Sequence, residues 1–142
     1  MMTLDQALTI ARTSLTEAKS RALAPLCVVV VDPGGHVLAT LRDERASIGR
    51  PEIATAKAAG CLAMGFGGRE LARRAQAAPA FYGTIGGLFA KGLVTVPGGV
   101  LIRDEAGALL GAVGISGDTA DNDELCALAG IAAAGLVADS GG

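Results

Sequence analysis

The first apolar positions of the chain recur at helical spacing. Leu4, Ala7, Leu8, Ala11, Leu15 and Ala18 form one stripe behind Thr3 and Gln6, which stand three apart as a capping box. The pattern predicts a long amphipathic helix ending near Ala22, ahead of Pro25. The period then changes. Cys27 to Asp32 is a continuous apolar strand, Pro33-Gly34-Gly35 turns the chain, and His36 to Leu41 returns as its hairpin partner. Pro51 suits a first helical turn, and Glu52 to Met64 continues as an alanine-rich helix. Glycines at 65, 67 and 68 interrupt it before a basic helix over Arg69 to Gln76. From Ala77 to Lys91 no period holds, and the glycines predict irregular structure or short helical turns. Gly98 to Arg103 and Ala108 to Ser116 form a second strand pair about the turn Asp104 to Gly107. Asp121 and Glu124 open a last helix, with a stripe at Leu125, Leu128, Ala129, Ala132 and Leu136, and Ser140 to Gly142 is a tail.

This order of helix, hairpin, helices, hairpin and helix predicts an α+β layered domain, with an antiparallel sheet and helices on one face. The length of 142 residues fits one domain over 1–142, large enough to bury a core without disulfides or metals. Composition narrows the function. Hydrophobic residues make up 51% of the chain, yet no apolar run is long enough to span a bilayer. The surplus predicts a subunit interface beside the core. The net charge of -2 lacks a basic block, which disfavours nucleic acid as a partner. The start of the chain has no basic segment followed by an apolar one, so it does not read as a signal peptide and predicts a cytoplasmic protein. Cys27, Cys61 and Cys126 are far apart in apolar surroundings and read as buried thiols, with no metal site expected.

The chemistry-bearing side chains are few. His36 is the sole imidazole, and is an axial ligand, a general base or an exposed hairpin residue. Glu52 and Lys57 share a helix but lie about 140° apart around it, so they do not pair directly. Lys57 pointing into a pocket would hold a carboxylate, with Glu52 moving a proton at its mouth; the plain alternative is a solvated helix face. Arg42, Arg45, Arg50 and Arg103 are either a guanidinium cluster for an anion or ordinary surface charge. The stretch from Pro97 through Gly98, Gly99, Gly111 and Gly114 to Ser116 and Gly117 matches neither a hydrolase elbow nor a dinucleotide fingerprint. Its glycines serve close packing, or they wall a pocket roofed by the first hairpin, or both.

Several of these residues recur together in a known pattern. Asp32, Gly35, Arg42 and Asp43, then Ala54, Lys57 and Ala58, then Pro97, Gly98, Gly99, Gly111, Gly114, Ser116, Gly117 and Asp118, and finally Asp123, Cys126 and Ala127, make the chain resemble the GlcG/HbpS family. That family also supplies the C-terminal domain of PduO-type cobalamin adenosyltransferases. The resemblance implies a profilin-like or roadblock-like layered domain, homo-oligomers, and haem or another tetrapyrrole as a possible ligand. Glu44-Arg45 departs from the family pattern by adding charge beside the expected pocket, and a single histidine excludes a two-histidine haem site within one subunit. The first functional expectation is a cytoplasmic, oligomeric small-molecule-binding protein, with Arg42, Pro97, Gly98, Gly99, Arg103, Ser116 and Gly117 at the ligand. The second is a cofactor-free enzyme that transfers a proton on a small organic acid through Lys57, Glu52, His36 and an arginine. The third is an accessory subunit with no ligand.

Overall fold

Helix α1 spans Leu4–Ser20 and begins as its capping box requires. The Thr3 hydroxyl accepts from the Gln6 N–H at 3.1 Å, and the Gln6 side chain accepts from the Thr3 N–H at 2.9 Å. The helix stops at Ser20, two residues before the expected end, because Ala22 takes a left-handed conformation with φ 55°. In the computed structural model, which describes all 142 residues, ten further elements follow. They are β1 (Cys27–Val31), β2 (Val37–Arg42), α2 (Arg50–Met64), α3 (Gly68–Ala77), α4 (Pro79–Ile85), a 3-10 turn (Gly86–Leu88), β3 (Gly99–Arg103), β4 (Leu109–Ser116), α5 (Ala120–Ala133) and β5 (Val137–Asp139).

The five strands form one antiparallel sheet in the order β2-β1-β4-β3-β5. Strand β1 pairs with both β2 and β4, so the two hairpins join edge to edge through Cys27↔Ser116 to Val31↔Ala112. Helices cover both faces of this sheet, not one as the sequence predicts. Val28, Val30, Val100, Ile102, Val113 and Ile115 pack on the α1 and α5 side. Cys27, Val29, Val31, Leu101 and Ala112 pack on the α2 side with Ala54, Ala58, Cys61 and Leu71. The continuous apolar run of β1 carries the reason: its residues are buried on both faces, as a strand between two layers demands.

The last helix also departs from its expected stripe. Its buried positions are Asp123, Glu124, Cys126, Ala127, Gly130 and Ile131, whereas Leu125 is exposed. The helix ends at Ala133, Gly135 turns the chain, and Leu136 lies outside it. Val137–Asp139 then forms β5, pairing with β3 from Leu101↔Asp139 to Arg103↔Val137. A three-residue edge strand carries too little pattern to be read from sequence.

Candidate functional site

Helix α2 has two faces with different tasks. Ala54, Lys57, Ala58 and Cys61 face the sheet. Glu52, Thr55, Ala59, Leu62 and Ala63 face the other way, toward two open cavities. One cavity, of about 440 Å³, lies between Pro33, Gly34 and Gly35 of the first hairpin turn, Ala59, Leu62 and Ala63 of α2, and the segment Leu88–Gly92. The other, of about 510 Å³, is lined by Thr40, Pro51, Glu52, Thr55, Ala90, Lys91 and Gly92. The first offers mostly apolar side chains, the second adds the polar side chains of Thr40, Glu52 and Thr55, and they share Ala90, Lys91 and Gly92. The Lys91 ammonium donates to the Gly35 carbonyl across this shared wall.

His36 is exposed at the hairpin turn beside the apolar cavity. Its ring lies over Gly34, with Cδ2 3.0 Å and Nε2 3.3 Å from where a Gly34 side chain would begin. The turn itself is set by Asp32, whose Oδ1 accepts from the Gly34 N–H at 2.9 Å and the His36 N–H at 3.0 Å. Glu52 therefore lines the second cavity, while His36 lines neither and lies over Gly34 in the wall of the first.

Lys57 does not join them. Its side chain is 4% exposed, and its Nζ donates to the Ile115 carbonyl at 2.8 Å and to Asp123 Oδ2 at 3.1 Å. Asp123 is also buried, and its Oδ1 accepts from the Asp118 N–H at 3.0 Å. Burial pushes the Asp123 carboxyl above its ordinary range, and the Lys57 charge pulls it back. The ammonium thus ties α2, β4 and α5 together through the layer and is not presented to a pocket.

The glycine-rich stretch has the same explanation. A side chain on Gly99 would meet Cys61 Sγ at 2.6 Å, and one on Gly114 would overlap the Ala54 carbonyl oxygen. Gly98 lies against the Lys57 ammonium, Gly117 backs onto the Pro25 carbonyl, and Pro97 leads into β3. The space expected for a pocket beneath the first hairpin is filled by α2. Of the two readings of these glycines, close packing is the one seen.

Each of the four arginines is engaged within the protein. Arg42 donates to the Ala46 carbonyl at 2.9 Å and closes the loop after β2. Arg45 pairs with Asp43, and hydrogen bonds from Arg45 hold that carboxyl down at about 2. Arg50 donates to the buried Ser116 hydroxyl at 3.1 Å. Arg103 pairs with Asp139 at 2.9 Å and fastens β5. Arg42 and Arg50 lie toward the Ser116 end of the sheet, while Arg103 lies level with Leu109 at the other, so Arg103 does not join them. The three cysteines are buried and free, as expected, and burial raises the Cys61 thiol to about 12.

The residues missed from sequence are Lys91 with Leu88 and Phe89, and Leu62 with Ala63 on the outer face of α2. The only signal was a lone lysine in an apolar, glycine-rich segment that has no period. Asp123 and Glu124 were legible as residues but not as buried ones.

A comparison with curated protein sequences finds no significant match. The model of the family described as "Haem degrading protein HbpS-like" matches residues 2–132. Among solved structures, the chain is similar to PduOC in complex with haem, at 29% identity over 96% of both chains and a TM-score of 0.85. It is similar to the Klebsiella pneumoniae protein ORFY, at 26% identity over 94% of this chain and 90% of that one, with a TM-score of 0.82. It is also similar to a double mutant of Streptomyces reticuli HbpS, at 29% identity over 92% and 85% with a TM-score of 0.78. With a match that runs from the second residue to the last helix, the chain belongs to the HbpS-like family.

Proposed function

We propose that this protein is an oligomeric small-molecule-binding protein whose ligand is haem or a related tetrapyrrole, held in the paired cavities between the first hairpin turn, α2 and Leu88–Gly92. The observation that carries the reading is the near full-length likeness to a structure solved with haem. The donor set here suits such a group. Leu62, Leu88 and Phe89 offer apolar contact to a flat macrocycle, and His36 offers the one imidazole at the rim. Bound haem would supply an iron centre for ligand or redox chemistry. The chain's own part is to seat the ring between the turn and α2, and to present His36 beside it.

The proton-transfer enzyme draws less support, since the Lys57 ammonium is engaged inside the protein. Homo-oligomerisation is supported by α4 and the segment after it. No residue of α4 is buried, and Phe81 and Leu88 are 54% and 76% exposed. No helix is long and apolar enough to cross a membrane. The cytoplasm is the proposed location, and three buried free thiols are compatible with it.

The test is a haem titration followed by absorbance and native mass spectrometry. Stoichiometric uptake with a Soret band that is lost or displaced in His36→Ala is the expected result. No uptake by the wild-type assembly would remove the tetrapyrrole reading.

A further inference from the structure

Lys91 holds an unusual position among the twelve cations of the chain. Arg21, Arg45, Lys57, Arg69, Arg73, Arg74 and Arg103 each pair with a carboxylate. Arg12, Lys19, Arg42, Arg50 and Lys91 do not, and of these only Lys91 lines either of the paired cavities. Its one hydrogen-bond partner is the neutral carbonyl of Gly35, and its Nζ sits 3.8 Å from where a Gly35 side chain would begin. The ammonium therefore stands between an apolar cavity and one that carries Thr40, Glu52 and Thr55.

We propose that Lys91 is a carboxylate anchor that selects ligands with an apolar body and an acidic edge, and that its bond to Gly35 is a resting contact which the ligand's carboxylate replaces. This rests on the paired cavities being the ligand site. The exchange is favourable because a carboxylate adds the attraction of opposite charges to the hydrogen bond, which the neutral Gly35 carbonyl cannot. An ammonium on a four-carbon stem can swing between the two without moving the backbone. The walls set the ligand's orientation. Ala59, Leu62, Ala63, Leu88 and Phe89 take the apolar body. Glu52 faces the polar cavity and repels any acid that is not seated on Lys91, so the acidic edge has one favoured place. When Lys91 leaves Gly35, the wall between the two cavities opens and the hairpin turn loses its tie to the Leu88–Gly92 segment.

The test uses iron-free protoporphyrin IX and its dimethyl ester, so that His36 ligation contributes nothing. Binding is read by porphyrin fluorescence in wild type, Lys91→Gln and Lys91→Arg. The expected result is a loss of about tenfold in affinity for the free acid in Lys91→Gln, with recovery in Lys91→Arg and equal ester binding by all three proteins. Unchanged acid binding in Lys91→Gln overturns the anchor while leaving the tetrapyrrole site standing. Equal loss of acid and ester also overturns it, because Lys91 would then act as a structural tie alone. If wild type binds neither porphyrin, the anchor is overturned, while the haem titration decides the site reading by itself.

Discussion

Lys57 reaches through a layer of alanine and glycine to pair with Asp123, and both groups are almost wholly removed from water. Such a pair gains little overall stability, because desolvation offsets the attraction. Breaking it is another matter. Lys57→Met leaves a buried carboxylate with no cation, and we expect a loss of about 3–5 kcal/mol in urea unfolding. The double variant Lys57→Met with Asp123→Asn removes the stranded charge and keeps an oxygen for the Asp118 N–H, so most of the loss should return. A single variant within about 1 kcal/mol of wild type would show that Asp123 takes up a proton or water instead. The same residue shows where reading a sequence stops. Its type and its place on a helix were plain, and so was the angle that separates it from Glu52. Which face of that helix meets the sheet was not plain, because alanine lines both faces.

At the scale of elements, α2 lies on the sheet more closely than ordinary side chains permit. The small positions Gly99, Ala112 and Gly114 beneath it make this possible. Gly114→Ala would push a methyl group into the Ala54 carbonyl, so we expect a cost of about 3 kcal/mol or more by denaturant titration. Gly86→Ala is the control. Gly86 has a helical φ of -56° and open space around it, so its substitution should stay within about 0.5 kcal/mol of wild type. Equal costs at both positions would mean that α2 can lift away without penalty. The two hairpins and the helices α1, α2 and α3 were legible because period, caps and turn residues agreed over several turns. The stripe of α5 was misread by one position, since a helix rich in alanine offers nearly equivalent faces. Its buried acids, Asp123 and Glu124, find cations on α2 and α3.

The whole molecule exposes more apolar surface than its core explains. Alongside Phe81 and Leu88, Ile48 is 93% exposed and Val96 41%. We expect the wild-type protein to sediment at a multiple of its 14.0 kDa chain mass, and Phe81→Glu to shift it toward lighter species with its helix content intact. A wild-type protein that sediments as a monomer would defeat this. By itself, the sequence determined the α+β class, the order of most elements, the burial of the thiols and the resemblance to a family, because each of these rests on local period or on a string of residues. The tertiary structure decided which edges the two hairpins share, that helices cover both faces, and that Lys57 is spent inside. It also decided that Glu52 and Lys91 line one cavity and that His36 lies over Gly34 in the wall of its neighbour. Those outcomes depend on contacts between residues far apart in the chain, and no local pattern encodes them.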